Sequence, residues 1–129
     1  MAKYVFPAVF TPDGKGYSVV FKDLDACYTS GDSLENALFM AEDVLALTLY
    51  DYEEEGRDIP DPSNKTETAD NEFVNFIRCD TDEYRKRVNN RAVKKTLTIP
   101  EWLNIRAIEA NINFSQVLQD ALKEKLGVA

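Results

Sequence analysis

The stretch at residues 93–126, VKKTLTIPEWLNIRAIEANINFSQVLQDALKEKL, decides how this chain folds. It begins with a run in which polar and apolar side chains alternate. Leu97 and Ile99 fall on one side of an extended chain. The opposite side presents Lys94, Thr96 and Thr98. This period of two predicts a strand with one buried face.

Two helical patterns follow the strand. Pro100 ends the strand and suits the first turn of a helix, where its missing N–H costs nothing. The two helices are separated by residues 111–113. Asn111 is predicted to adopt a positive φ, which Asn tolerates better than most residues. Asn113 is predicted to cap the second helix, with Gln116 at the capping-box position.

A strand–helix–helix unit of 34 residues is too small to bury enough apolar surface alone. It is therefore expected to pair with a second copy through residues 93–129. The predicted dimer core consists of Trp102, Ile105, Ile108, Ile112, Phe114, Val117, Leu118, Ala121, Leu122 and Leu126. An intertwined dimer with a paired two-stranded ribbon is typical of the ribbon-helix-helix DNA-binding fold.

This layout predicts which residues contact DNA. A two-stranded ribbon fits the major groove, so the outward side chains at 94, 96 and 98 are predicted to read bases. The start of the second helix offers free backbone N–H groups to a phosphate. The predicted phosphate-binding residues are Lys95, Asn113, Phe114 and Ser115.

The first part of the chain predicts a β-β-β-α-β order. Strands are expected at residues 4–10, 17–21, 26–30 and 72–79, with a helix that begins at Asp32 or Ser33 and ends at Gly56. Pro7 predicts an edge-like side or a bulge in the first strand. The fourth strand is apolar on both faces, which is typical of an interior strand. The chain is thus α+β, with domains at 1–83 and 93–129 joined by a linker at 84–92.

Charge is unevenly distributed between these parts. Residues 1–83 contain 6 Lys or Arg and 19 Asp or Glu, whereas residues 84–129 contain 9 and 4. The acidic first part should repel nucleic acid and suit a basic partner, and the rest should tolerate or attract nucleic acid.

Composition excludes several chemistries. The chain has no His, which removes Ser-His-Asp and Cys-His catalysis and imidazole metal ligands. Cys27 and Cys79 lack CxxC spacing and are interpreted as buried, reduced thiols. The carboxylates that might serve a nuclease do not converge in the predicted fold; they are Asp13, Asp23, Asp25, Glu42 and Asp43. No enzyme activity, metal or cofactor is therefore predicted.

No apolar run approaches the roughly 18 residues of a membrane span, and the N-terminus lacks the pattern of a signal peptide. The chain is expected to be cytoplasmic, with no membrane partner.

A series of short motifs carries a family resemblance. They are YVFPAVF at 4–10, DGKGYSVVF at 13–21, CYTSGD at 27–32 and IPDPS at 59–63. In this order, and followed by a DNA-binding tail, they resemble the HicB family of type II antitoxins. The turn KDLDAC at 22–27 lacks the Pro and Gly of the PDLPGC-type turn found in many members.

The resemblance implies a partial RNase H-like first domain without nuclease activity. It also implies binding to a HicA toxin, a small mRNA-cleaving protein with a double-stranded-RNA-binding-like fold. The leading hypothesis is an antitoxin that neutralises such a toxin and represses its own operon by binding operator DNA. Its assembly would be a homodimer or a higher oligomer. The alternative is a stand-alone ribbon-helix-helix regulator whose first domain senses a small molecule.

Overall fold

The computed structural model describes residues 3–129 and divides the chain into two compact units, one ending at Arg91 and one comprising Ala92–Ala129. The first unit contains a four-stranded sheet and two helices, and the second contains two helices, which confirms the mixed α+β class. The elements are β1 (Lys3–Asp13), β2 (Gly16–Val20), β3 (Tyr28–Gly31), α1 (Leu34–Glu55), β4 (Phe73–Asp80), α2 (Thr81–Val88), α3 (Glu101–Glu109) and α4 (Phe114–Leu126). No helix among the described residues is long and apolar enough to cross a membrane.

The core of the first unit lies between the sheet and α1. The strands lie in the order β3-β2-β1-β4, and every neighbouring pair is antiparallel. Alternate residues of β1 face α1, so Phe6, Ala8 and Phe10 are almost completely buried. The helix meets them with buried side chains at helical spacing, which are Ala37, Ala41, Leu45 and Leu49.

Pro7 occupies a position where its missing N–H has no cost. It pairs with Phe76 of β4, whereas β2 pairs with β1 only from Val9 onward. The side of β1 next to Pro7 therefore has no β2 partner. The edge-like side that Pro7 predicted is confirmed.

The prediction that β4 is an interior strand is wrong. β4 is the last strand of the described sheet, beside β1. Phe76 is 56% exposed and Phe73 is 39% exposed. The apolar composition suggested burial on both faces, but strand order depends on long-range pairing that composition does not determine.

Helix α1 begins and ends at residues with defined capping geometry. Ser33 rather than Asp32 is the N-cap, because its Oγ accepts a hydrogen bond of 3.1 Å from the N–H of Asn36. The helix ends at Gly56, as predicted, and Gly56 adopts a left-handed conformation there. Before the helix, a Cβ on Gly31 would overlap the backbone of Ala37, so only glycine lets β3 approach α1 this closely.

The second unit consists of α3 and α4 joined by a tight turn. Asn111 has φ of 56°, and Ile112 donates to the carbonyl of Ala107, which together form a Schellman-type helix end. The Oδ1 of Asn113 accepts a hydrogen bond of 3.1 Å from the N–H of Gln116. The predicted positive φ and N-cap are both confirmed. The capping box is not, since the Gln116 side chain donates to Asp120 instead.

Residues 93–99 form no strand within the single chain. A strand needs a partner for its backbone hydrogen bonds, and the described part of the chain supplies none here. The predicted ribbon requires a second copy, so it stays a prediction.

Candidate functional site

Glu53 lies at the centre of a polar cluster that joins three elements of the first unit. Its Oε2 accepts hydrogen bonds from the Tyr4 hydroxyl at 2.8 Å and the Thr81 hydroxyl at 2.9 Å. Its Oε1 accepts from Arg85 Nη2 at 3.0 Å. Burial acts to raise the pKa of Glu53, but the donors from Tyr4, Arg85 and Thr81 outweigh it, so the pKa lies below its ordinary value. Sequence reasoning assigned no role to this residue, which lies in an acidic run at a helix end.

The basic residues of α2 face acidic residues of α1. Besides Glu53, Arg85 contacts Glu54 at 3.2 Å, and Arg87 contacts Asp43 at 3.1 Å. The structure therefore places α2 in the first unit, where it is paired with that unit's acids. Up to Arg91 the chain has 10 basic and 19 acidic residues, and the second unit has 5 and 4. Most of the basic excess of residues 84–129 comes from α2 and the residues that follow it up to Arg91, and these belong to the first unit.

Three of the five carboxylates considered for a nuclease, Asp23, Asp25 and Asp43, have structural partners. Asp23 Oδ2 accepts a hydrogen bond from the Ser63 N–H at 2.9 Å, and Asp25 pairs with Arg57 at 3.3 Å. No group of three or more potential metal ligands occurs among residues 3–129. Asp23 and Asp25 hold the loop after α1 to the turn after β2 instead of converging on an ion.

The outer side of α1 forms an acidic surface with an aromatic residue in it. Phe39 is 62% exposed, and Glu35 and Glu42 are exposed beside it at helical spacing. A groove of about 630 Å³ runs along this side. Its lining includes Phe39, Glu42, Asp43, Tyr84 and Arg87. This acidic α1 surface, comprising Glu35, Phe39, Glu42 and Asp43, offers negative charge and apolar contact together.

The residues predicted to contact DNA are all exposed in the second unit. Lys94, Lys95, Thr96 and Thr98 lie in the segment before α3 that has no helix or strand. Asn113, Phe114 and Ser115 lie together at the start of α4. Within residues 3–129, no acceptor is found for the backbone N–H groups of Phe114 and Ser115, which leaves them available to an anion.

The helices of the second unit bury none of their side chains. Trp102 is 63% exposed, Ile108 58% and Val117 52%. Exposed apolar area of this extent on two short helices is unusual for a surface that faces solvent and typical of an interface.

A family comparison accounts for the first unit. Residues 5–74 match the family model described as "HicB_like antitoxin of bacterial toxin-antitoxin system". The match covers more than half of the chain, from β1 into β4. This chain belongs to the HicB-like antitoxin family. The family is one of antitoxins and not of enzymes, so the chain is not an enzyme.

Individual relatives agree with this assignment. Antitoxin HicB 2 of Photorhabdus laumondii subsp. laumondii is 42% identical to this HicB-like chain over 62 residues. The alignment spans 48% of this chain and 45% of that relative, less than half of the length of each.

Solved structures extend the similarity to nearly the whole chain. A chain from a toxin–antitoxin complex of Streptococcus pneumoniae is 29% identical, with a TM-score of 0.60 over 95% of this chain and 99% of that one. The crystal structure of antitoxin HicB3 has a TM-score of 0.52 at 23% identity, over 95% and 97% of the two chains. The second match concerns the fold alone.

Proposed function

We propose that this HicB-like chain neutralises a HicA-like, mRNA-cleaving toxin through its first unit and represses its own operon through residues 93–129. The observation that carries the proposal is the family match at residues 5–74, which lies within the first unit. The narrower description of that unit as a partial RNase H-like fold remains a prediction of the family resemblance.

The chemistry of the first unit supports binding of a basic partner. A toxin that binds RNA presents positive charge, and the first unit has 19 acidic against 10 basic residues. Several of these acids are held by internal ion pairs, but Glu35 and Glu42 have none within residues 3–129 and flank Phe39. Complementary charge would steer the encounter, and the exposed ring would supply an apolar anchor. The toxin's RNA-binding surface would be covered, so neutralisation would be steric and electrostatic.

Features of the second unit support the DNA-binding half of the proposal. An apolar face on α3 and α4 would be covered by a second copy in a ribbon-helix-helix dimer. Pairing of two copies would supply the missing strand partner for residues 93–99 and direct Lys94, Thr96 and Thr98 toward bases. Lys95 and the start of α4, from Asn113 to Ser115, would hold phosphates. A chain that acts on operator DNA would work in the cytoplasm.

Co-expression with the product of an adjacent small reading frame tests the proposal that the first unit neutralises a toxin. We expect a stable complex and loss of the toxin's ability to cleave mRNA. Phe39→Ala and Glu42→Lys should each weaken the complex by about tenfold or more. Glu101→Lys makes the same charge change in the second unit and should leave toxin binding unchanged. Absence of any basic protein in the purified material, together with a bound metabolite, would favour the small-molecule-sensing alternative.

Deletion of residues 93–129 tests whether toxin binding and DNA binding belong to different parts of the chain. The shortened chain should lose operator binding and lose the dimer formed through this segment, while toxin neutralisation persists. Operator binding by the shortened chain would place the DNA surface elsewhere and contradict the proposal.

A further inference from the structure

The groove along α1 contains an arginine that belongs to the chain itself. Arg87 Nη2 lies 3.1 Å from Asp43 Oδ1, and the guanidinium carbon of Arg87 lies 5.1 Å from the centre of the Tyr84 ring. All three residues line the groove. A planar guanidinium pairs with a carboxylate and stacks on an aromatic face, so these two groups together bind arginine well. The groove therefore contains a complete site for an arginine side chain.

Arg87 is held in this site only weakly. The side chains of Arg87 and Asp43 are 59% and 45% exposed, so water competes for both ends of the ion pair. An exposed pair of this kind contributes little to stability, because solvent screens the attraction and both side chains lose freedom. Arg87 can therefore leave Asp43 at small cost, and the carboxylate and the ring would then be open to another cation.

Loss of this ion pair would not release α2 from the first unit. At its other end the helix is anchored by Thr81, which is fully buried, and by Arg85, which lies 3.0 Å from Glu53. The side chains of Arg85 and Glu53 are 32% and 21% exposed, less than those of the Arg87 pair. The Arg87 side chain can thus move away while the helix that forms one wall of the groove stays in place.

The surroundings of the site favour an additional cation. Glu42 also lines the groove and has no ion pair within residues 3–129. Arg87 therefore neutralises one of the two neighbouring carboxylates and leaves the other uncompensated. Phe39 lies four residues before Asp43 on the same side of α1 and adds an exposed ring. Two carboxylates and two aromatic rings would thus surround an arginine of a basic partner.

A second arginine of the first unit makes the same kind of contacts in a structural setting. The guanidinium carbon of Arg57 lies 4.0 Å from the centre of the Tyr52 ring, and Arg57 pairs with Asp25 at 3.3 Å. Tyr52 is only 6% exposed, and its hydroxyl accepts a hydrogen bond from the N–H of Asp25. This ring has little surface to offer a partner, and none of the three residues lines the groove. Arg57 is therefore a matched control for Arg87.

We propose that Arg87 occupies, in the free chain, the site that an arginine side chain of the toxin takes in the complex. The toxin's guanidinium would displace Arg87 from Asp43 and from the Tyr84 ring. Arg87 is thus an internal competitor that lowers the affinity for the toxin. This inference rests on the proposed binding of a basic toxin to the acidic α1 surface, and it adds the residue that the toxin must displace.

The toxin affinity of full-length Arg87→Ala tests the competition. The probe is the purified product of the adjacent small reading frame, titrated by isothermal calorimetry. The affinity should rise about fivefold, because binding no longer breaks an exposed ion pair and a ring contact. Arg57→Ala also removes a cation, an ion pair and a ring contact, but outside the groove. It should change the affinity by less than about twofold, since solvent and salt screen a charge outside the site.

A double-mutant cycle separates competition from a general effect of charge. Asp43→Asn should weaken toxin binding, because the carboxylate that receives the toxin's arginine is lost. In that background Arg87→Ala should raise the affinity no more than Arg57→Ala does, since there is no carboxylate left to compete for. Both Asp43 and Arg87 have largely exposed side chains, so the first unit should keep its fold in all of these variants.

Three results would overturn this inference. They are a gain from Arg87→Ala that only equals that of Arg57→Ala, a gain that persists in Asp43→Asn, and a loss of affinity, which would make Arg87 a direct toxin contact. Phe39→Ala and Glu42→Lys distinguish this failure from failure of the proposed function. If both weaken toxin binding as expected, only the role of Arg87 fails. If both leave it unchanged, the toxin binds elsewhere and both proposals fail.

Discussion

Arg85 Nη2 lies 3.0 Å from Glu53 Oε1, although the two residues are 32 positions apart in the sequence. The pair joins α2 to the end of α1, and both side chains are largely shielded from solvent. Tyr4 and Thr81 donate to the other oxygen of the same carboxylate. One carboxylate thus connects the first strand, the long helix and the short helix that ends the first unit.

Replacement of Glu53 by Gln should destabilise the first unit. The variant keeps the size of the side chain but loses the negative charge of a carboxylate that accepts three hydrogen bonds. The free energy of unfolding in urea should fall by about 1–3 kcal/mol. Glu55→Gln, at the exposed end of α1, is the matched control and should change it by less than about 0.5 kcal/mol.

The same carboxylate predicts how stability depends on acid. The pKa of Glu53 in the folded chain is below its ordinary value of 4.5, so its contribution is present above that pH. The contribution decreases as the pH falls from 4.5 through the lower pKa of the folded chain. Between these pH values the unmodified chain should lose more stability than Glu53→Gln. Parallel acid profiles for the two chains would contradict the assigned role.

Cys79 should resist alkylation in the folded chain. Burial, with smaller contributions from the negative charges of Asp80 and Glu53, raises the pKa of the Cys79 thiol to about 12. Little thiolate is present at pH 8, so iodoacetamide should label the folded chain at least about 100-fold more slowly than the urea-unfolded chain. The remaining thiol, measured in Cys79→Ser, should also be slow, because burial raises the pKa of Cys27.

Gly31→Ala should disrupt the contact between β3 and α1. The added Cβ would overlap the backbone of Ala37 and Asn36, which cannot rotate away. The expected loss is about 3 kcal/mol of unfolding free energy, measured in urea. Gly14→Ala is the control, since its Cβ meets open space and only the positive φ is unfavourable, at about 1 kcal/mol. A smaller loss for Gly31→Ala than for Gly14→Ala would contradict the close approach.

Asn111 should tolerate glycine better than alanine. Its φ of 56° is in the left-handed region, which costs a Cβ-bearing residue about 1 kcal/mol. Asn111→Ala should lower the melting temperature of the chain, and Asn111→Gly should leave it unchanged or raise it. The reverse order would show that the turn between α3 and α4 has a different backbone conformation in solution.

Thr96→Ala and Lys94→Ala should reduce operator discrimination if residues 93–129 read DNA as proposed. The expected cost is about 1–3 kcal/mol for each lost base contact, measured by fluorescence anisotropy against operator and scrambled duplexes. Lys95→Ala should weaken binding to both duplexes alike. Thr68→Ala, in the loop of the first unit, makes the same substitution as a control. Unchanged operator affinity for both Thr96→Ala and Lys94→Ala would contradict the proposed reading face.

The predictable features of this chain are local ones. The helix end at Gly56, the positive φ of Asn111 and the N-cap at Asn113 depend on residues within one helical turn, so their sequence signals were sufficient. The edge-like side of β1 was also predictable, because proline removes a donor wherever the strand pairs.

The features that sequence did not reveal depend on distant pairing. Glu53 was overlooked because its partner Tyr4 is 49 residues away, and an acidic run at a helix end has no local signature of burial. The edge position of β4 depends on which strand β1 pairs with, and its apolar sequence fits an interior strand equally well. Residues 93–99 differ again, since their predicted strand needs a second chain to supply its hydrogen bonds.

The ion pairs between α2 and α1 have a consequence for counterion release. Arg85 and Arg87 already neutralise carboxylates of their own chain, so they displace no cations from a nucleic acid. On the proposed reading strand only Lys94 and Lys95 remain, which gives four cations in a dimer. Neutralising about four phosphates gives a slope of about −3.6 when the logarithm of the affinity is plotted against the logarithm of the salt concentration. Operator affinity would therefore fall about 150-fold between 50 and 200 mM salt, less than the loss of about 10³-fold or more for proteins that contact six to ten phosphates.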